Sequence, residues 1–325
     1  YTTIMEVLRD RGYQTWGASG NPLVGWTTNM IQGIHPGDFD DTWRESFEKA
    51  HRDYDGHMNN AAFEEFLARA PRKRPFFGFI NYMDVHSPYV PDEPFLSRFL
   101  HAPVEKEAAL KLGRRRWMEH YTEGPYPPGE LSVVSALYRG EVAYVDRCIG
   151  QLLDALRRDG RYDDTIIIIT SDHGEYLGEH GLVDHVFGLY NTTLAVPCIV
   201  KWPAGGERMD VAGVDKRRAQ LLDLFPTLLA ACGIPPESFV HQGRNLLAVS
   251  GEDDQGREAV FAEYYWPQQA LSLFREHELE KAGARLAAFC HRIRSYQIGG
   301  KKLIWSSQGR HEFYNIEADP DEQQN

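Results

Sequence analysis

Two residues able to bind a cation stand side by side after a short apolar run. Asp172 offers a carboxylate and His173 a ring nitrogen, and both groups ligate divalent metal ions in proteins. They follow four isoleucines at 166–169, a β-branched run typical of a strand buried on both faces. Open α/β sheets bind ligands beyond the carboxyl ends of their strands, so the pair is a candidate metal site. The alternative is that Asp172 only caps a turn.

A second apolar run, residues 75–83, also ends near a histidine. His86 lies just beyond it, and a histidine in such a place is often structural, so its role stays open at this point. Three histidines at 173, 180 and 185 could indicate a zinc cluster, but their spacings match no HExxH-type helix.

The region from Ser171 to Pro197 resembles the metal-binding signature of the sulfatase family, within the alkaline-phosphatase-like superfamily. The matching segments are 171–175 (Ser-Asp-His-Gly-Glu), 177–181 (Leu-Gly-Glu-His-Gly), 189–190 (Leu-Tyr) and 196–197 (Val-Pro). The resemblance implies that Asp172 and His173 bind a divalent metal, with Ca²⁺ favoured and Mn²⁺ as the alternative.

The same resemblance assigns roles to two histidines. His86 matches a family histidine that contacts the ester leaving-group oxygen, as hydrogen-bond donor or general acid. His185 stands where family members carry a lysine or histidine that touches the oxygens of the transferred group, and His180 is the rival for that role. Many members also carry a Gly-Lys-Trp-His motif, where this chain has Gly-Ala-Ser-Gly-Asn from Gly17 to Asn21.

One family feature has no counterpart in the chain. Sulfatases carry a Cys/Ser-x-Pro-x-Arg motif whose first residue becomes the formylglycine nucleophile, and no such motif occurs between Tyr1 and Asn325. We expect that segment, with two further metal-binding aspartates, to lie upstream of Tyr1, so that this chain is a fragment. Because Ca²⁺ takes about six to eight oxygen ligands, two adjacent ligands alone should bind it weakly.

The pattern of helices and strands predicts an α/β fold with a mixed, mostly parallel central sheet flanked by helices, as the resemblance also implies. Amphipathic helices are predicted at 2–11, 130–158 and 219–231. Beyond residue 236 the chain alternates polar and apolar residues, which predicts a small antiparallel sheet from strands at 258–264, 286–294, 295–298, 302–305 and 312–316. We therefore expect a catalytic core at 1–236 and a C-terminal subdomain at 237–325, each incomplete at its outer end.

The composition of the chain limits the kinds of partner that it is expected to bind. The chain has 47 acidic and 35 basic residues, for a net charge of −12, which argues against nucleic-acid binding. No apolar run is long enough to span a membrane, and the four cysteines predict no disulfide framework. The sequence leaves the compartment and the oligomeric state open, with a soluble, cytoplasmic protein favoured over a periplasmic or secreted one.

The family resemblance and the missing nucleophile together leave three functions open. The first is a metal-dependent hydrolase of sulfate monoesters, whose substrate is a small sulfate ester. The second is a phosphodiester or phosphonate ester hydrolase of the same superfamily, since His173 beside Asp172 suits manganese as well as calcium. The third is that the chain, lacking a nucleophile, is a non-catalytic fragment or binding module.

Overall fold

The computed structural model describes residues 2–42, 56–101, 104–204, 218–247 and 258–325. They form two compact units, residues 1–115 with 132–165 and residues 116–131 with 166–325. The helices and strands, in chain order, are α1 (Ile4–Asp10), β1 (Gln14–Ser19), β2 (Phe39–Asp41), α2 (Gly56–Arg69), β3 (Phe76–Asn81), α3 (Phe95–Phe99), α4 (Lys106–Gly113), α5 (Trp117–Thr122), α6 (Pro128–Asp159), β4 (Ile167–Thr170), β5 (Tyr176–Leu177), β6 (Val183–Asp184), α7 (Asn191–Leu194), β7 (Cys198–Lys201), α8 (Leu224–Ala231), β8 (Ala259–Tyr264), α9 (Gln268–Ser272), α10 (Glu276–Ala287), β9 (Ile293–Ile298), β10 (Lys301–Ser306) and β11 (Glu312–Asn315).

The first unit is built on a parallel sheet in the order β2-β1-β3. β1 and β3 pair in register over their whole length, from Gln14 opposite Phe76 to Ser19 opposite Asn81. Trp16 is fully buried beneath α2, where its ring stacks on Phe66 at 5.1 Å. The parallel pairing and the covering helix confirm the predicted α/β class.

The predicted helices at 2–11 and 130–158 are present as α1 and α6. The third, at 219–231, begins with a 3-10 turn at Leu221–Asp223 and continues as α8.

The isoleucine run differs from its prediction. Residues 167–169 lie in β4 as expected, but their side chains are half-buried rather than buried on both faces. Among the described residues β4 pairs with β7 alone, antiparallel, with Ile169 opposite Ile199. A strand with one neighbour has a second edge that no strand covers, which leaves its apolar side chains partly accessible.

The second unit contains a four-stranded antiparallel sheet in the order β11-β10-β9-β8. Side chains alternate along β10, and the buried face packs Ile293, Ile304 and Tyr314 against Leu189. This confirms the small C-terminal antiparallel sheet. The strand predicted at 286–294 is wrong in its first part, because α10 runs to Ala287 and β9 begins at Ile293. Over so short a run, alternating and helical apolar spacings coincide at several positions.

Two further features bear on the sequence analysis. No helix of the described residues has both the length and the apolar character that crossing a bilayer requires. All four cysteines carry free thiols. The domain boundary after residue 236 stays a prediction.

Candidate functional site

The loop that follows β4 is shaped by hydrogen bonds between its own residues. Ser171 Oγ donates to the carbonyl oxygen of His173 at 2.6 Å, and the amide of His173 donates to Asp172 Oδ1 at 3.1 Å. Gly174 N donates to Thr193 O at 2.8 Å. A Cβ on Gly174 would lie 2.1 Å from the carbonyl oxygen of Thr192, so only glycine fits where the loop meets α7.

Asp172 and His173 present two donor atoms to the same space. Asp172 Oδ2 lies 3.6 Å from His173 Nε2, and the side chains are 82% and 40% exposed. Two ligands bonded about 2.3–2.6 Å from one ion at a right angle would be separated by roughly 3.3–3.7 Å, which matches this spacing.

The tautomer of His173 also suits a metal ligand. Its Nδ1 lies 2.9 Å from the carbonyl oxygen of Gly174, and a carbonyl can only accept, so Nδ1 carries the hydrogen. In the neutral ring the lone pair is then at Nε2, on the side of Asp172. This is the orientation that metal-binding histidines adopt when a second hydrogen bond holds them. The residues present therefore fit part of a cation site, with two of the ligands it needs.

His185 lies between two carboxylates. β5 and β6 pair antiparallel with Tyr176 opposite Asp184, which brings Glu175 beside His185. His185 Nδ1 is 3.2 Å from Glu175 Oε1 and 3.0 Å from Asp184 Oδ1. Burial acts to lower the pKa of His185, but the hydrogen bonds and charges of Asp184 and Glu175 outweigh it and raise the pKa to about 10. The ring is therefore an imidazolium at neutral pH.

The charged ring of His185 stacks on the proposed metal ligand. The ring centroids of His173 and His185 are 4.2 Å apart, with 29° between their planes. The structure thus brings Asp172, His173 and His185 together, and adds Glu175 and Asp184, which the sequence analysis did not assign. Glu175 belongs to the motif at 171–175, so the sequence could have identified it as a site residue. For Asp184 the sequence offered only its place next to His185.

Glu175, Asp184 and His185 could themselves be taken for a metal site. Among the described residues they are the group whose donor atoms lie close enough together to hold one ion, all within 4.8 Å. A metal ion bound here would have to displace the hydrogen that Nδ1 shares with the two carboxylates, since both lie within hydrogen-bonding distance of that nitrogen. We interpret the group as a clamp of two carboxylates on His185. His180 lies apart from it, with its ring stacked on Tyr190 at 3.5 Å.

His86 lies in the first unit. Its backbone amide donates a hydrogen bond to the carbonyl oxygen of Met83. Its Nδ1 is 2.7 Å from the carbonyl oxygen of Ser87, so Nδ1 donates and the neutral ring has its lone pair at Nε2. The ring is half-buried. The role of His86 in the reaction stays a prediction.

The whole fold is that of the alkaline-phosphatase-like enzymes. The structure is similar to that of the phosphonate monoester hydrolase of Agrobacterium radiobacter, with a TM-score of 0.68 at 20% sequence identity. The similarity covers 100% of this chain and 75% of that one. Identity this low supports the fold and nothing finer.

Within that fold class, the chain belongs to the sulfatase family, whose sequence profile matches residues 1–234. Two curated relatives illustrate the range of the similarity. The multifunctional alkaline phosphatase superfamily protein PehA of Trinickia caryophylli is 27% identical over 180 residues, 49% of this chain. Arylsulfatase K of Bos taurus is 30% identical over 203 residues, 61% of this chain. The chain spans 34% of the length of either relative.

Proposed function

We propose that the chain forms part of the active site of a metal-dependent hydrolase of sulfate monoesters. The observation that carries the proposal is the position of His185, whose Nδ1 lies between Glu175 and Asp184 and whose ring stacks on that of His173. A fixed cation next to a cation-binding loop is what stabilises negative charge on the oxygens of a transferred sulfuryl group.

Asp172 and His173 would hold the divalent cation, with Ca²⁺ favoured and Mn²⁺ as the alternative. The Nδ1 hydrogen bond to Gly174 keeps the Nε2 lone pair of His173 directed to the side of Asp172. When bound, the cation supplies Lewis-acid activation of the nucleophile and of the ester oxygens. Its remaining ligands, and a formylglycine nucleophile, would come from residues that this sequence does not contain.

The two histidines have different proposed tasks. His185 binds oxygens of the sulfuryl group through charge, and Glu175 and Asp184 hold its ring in place. His86, with Nδ1 held by Ser87, would take up a proton from water at Nε2 and, in that protonated form, donate it to the leaving alcohol or phenol oxygen as the S–O bond breaks. An alkoxide is a poor leaving group, so a proton donor at that oxygen lowers the barrier.

Hydrolysis by the gene product that contains this chain tests the proposal. We expect turnover of aryl sulfates that is abolished by a chelator and restored by Ca²⁺ or Mn²⁺. His185→Gln removes the positive charge of the imidazolium. It should lower kcat/KM by roughly 10²–10³-fold, the range found when one stabilising donor is lost. Asp164→Asn, at an exposed carboxylate before β4, is the control and should keep full activity. A folded, metal-loaded protein without sulfatase activity would defeat the proposal.

Metal binding can be measured on the chain by itself. Mn²⁺ broadens the NMR signals of nearby nuclei even when it binds weakly, so the ring signals of His173 should broaden first. Asp172→Asn should raise the Mn²⁺ concentration required, and Asp164→Asn should not. A cooperative thermal transition that neither Ca²⁺ nor Mn²⁺ shifts, together with no selective broadening at His173, would instead support a non-catalytic module.

The second candidate is hydrolysis of phosphodiesters or phosphonate esters. It is favoured by the match to PehA, a multifunctional member of the alkaline phosphatase superfamily. A bound metal ion together with the imidazolium of His185 can stabilise phosphoryl as well as sulfuryl oxygens. The described residues therefore suit both reactions. Parallel assays on aryl sulfate, phosphonate and phosphodiester substrates separate the two by their kcat/KM ratios.

A further inference from the structure

A buried ion pair joins the C-terminal strands to α7. Lys302 Nζ lies 2.6 Å from Glu322 Oε1, and the two side chains are 0% and 1% exposed. Both residues also bind the first residue of α7. Lys302 Nζ donates to Asn191 Oδ1 at 2.9 Å, and the backbone amide of Asn191 donates to Glu322 Oε2 at 2.6 Å. Side-chain capping from Tyr190, the residue before α7, is absent, so Glu322 serves as the cap.

A second contact joins the same two regions. Tyr190 OH donates to Glu312 Oε2 at 2.8 Å, and Tyr314 OH donates to the same oxygen at 2.6 Å. The ring of Tyr190 lies flat on His180, with 2° between the planes. Glu312 of β11 thereby holds a ring that in turn supports the loop carrying His180.

From α7 the contacts continue to the proposed metal-binding loop. Tyr176 OH accepts from the amide of Tyr190 at 3.1 Å and lies 3.1 Å from Thr193 Oγ1. The carbonyl oxygen of Thr193 accepts from the amide of Gly174, the residue after His173. Each step is one hydrogen bond between buried or half-buried groups.

Energetics argue against a purely stabilising role for the ion pair. Removing two charges from water costs several kcal/mol per ion, so a buried pair is often no more stable than an apolar pair of the same size. The pair does impose geometry, because both charged groups must meet Asn191 at once. Glu322 itself has φ +55°, an uncommon conformation for a residue other than glycine.

We propose that Glu322, Lys302 and Glu312 are positioning residues, which fix α7 and Tyr190 and through them the loop bearing His173. They touch neither substrate nor cation. The C-terminal strands then have a task in the active site, although all three residues lie outside the part of the chain that matches the sulfatase profile. This proposal rests on the proposed function, because that function assigns the loop bearing His173 to the active site.

The test replaces the ion pair by an apolar pair and measures hydrogen exchange and NMR signals in the loop bearing His173. Lys302→Met with Glu322→Leu keeps the volume and leaves no buried charge, so the variant should fold, with a Tm lowered only by the loss of the two hydrogen bonds to Asn191. Hydrogen exchange should become roughly tenfold faster at Asn191, whose amide loses its partner, and also at Gly174, whose acceptor Thr193 O is then held less firmly by α7. The ring signals of His173 should shift as well.

Glu263→Gln is the matched control, because Glu263 belongs to the same sheet but pairs on its exposed face with Arg294. Its exchange rates at Gly174 should equal those of the wild type. Faster exchange at Asn191 alone, with Gly174 and His173 unchanged, would overturn the proposal, since the cap would then be local. If the double variant does not fold, Tyr190→Phe decides by the same criteria at Gly174 and His173.

Activity provides a separate measurement. In an active gene product the double variant should lose at least roughly tenfold in kcat, with Glu263→Gln unaffected, because a misplaced site slows chemistry. If the wild type hydrolyses no sulfate ester, the proposed function fails while the exchange measurements still decide whether the three residues position the loop.

Discussion

At the residue scale, the central feature is the clamp on His185. The pairing of β5 with β6 places the ring between Glu175 and Asp184, and the backbone of Asp184 adopts φ +66° at this point. The two carboxylates explain why a half-buried imidazole can stay charged. A histidine held in this way carries a positive charge at neutral pH.

The first prediction concerns the pKa of His185. Its folded pKa of about 10 lies above the ordinary histidine value of 6.5, so the clamp stabilises the fold fully below about pH 6.5. That contribution is lost as pH rises through about 10. NMR titration of the chelator-treated protein should show the high pKa, and Glu175→Gln and Asp184→Asn should each lower it. A wild-type pKa near 6.5 would contradict the clamp.

The second prediction concerns Gly174, where the loop meets α7. Gly174→Ala places a methyl group against Thr192 O and should lower the free energy of unfolding by about 1–3 kcal/mol. Gly150→Ala is the control, since its Cβ meets nothing within 4 Å in α6. There the helix should gain about 0.5–1 kcal/mol. Urea unfolding measures both; equal effects would show that the close approach is not real.

At the element scale, α2 is held on the parallel sheet by aromatic rings. Phe66 is fully buried and stacks on Trp16, and its ring lies 5.6 Å from that of Phe76 in β3. The neighbouring residue Asp40 of β2 accepts a hydrogen bond from Trp16 Nε1 at 2.9 Å. One helix thus locks three strands, including the strand that leads to His86.

The third prediction follows from that packing. Phe66→Ala should lower the free energy of unfolding by about 3–5 kcal/mol, because the ring leaves a cavity that the sheet cannot close. Phe261→Ala, at a side chain 52% exposed on β8, should cost about 1 kcal/mol or less. Chemical denaturation compares the two. Similar losses for both variants would mean that burial on α2 contributes little.

At the scale of the whole molecule, strand edges are the feature with consequences in solution. Among the described residues, β3 pairs only with β1, and β4 and β7 pair only with each other. Ile199 of β7 is 60% exposed on such an edge. Unpaired edges with apolar side chains are templates for pairing with other chains.

The fourth prediction is that this chain self-associates despite its net charge of −12. Sedimentation velocity should show mass that increases with concentration, and Ile199→Lys should reduce it by placing a charge on the edge. Val240→Lys, at a position 90% exposed outside any strand, adds the same charge and should have little effect. A wild-type chain that stays monomeric throughout would contradict the prediction.

Local sequence was sufficient for the main elements and for part of the site. Apolar period and composition indicated β3, β4 and α6, because a buried strand and an amphipathic helix each leave a pattern within a few residues. The adjacency of Asp172 and His173 made them partners in any fold. The burial of β4 was overestimated, since burial depends on which elements lie beside a strand, and those are distant in the chain.

Only the tertiary structure decided which side chains serve His185 and what holds the loop. Glu175 and Asp184 reach its ring because two short strands pair across ten residues, and Glu322 reaches Asn191 across 131 residues. A charged residue far along the chain carries no mark of its partner, because long-range contacts are set by the packing of whole elements. The amino-acid sequence therefore determined the chemistry available, and the fold determined the partners that direct it.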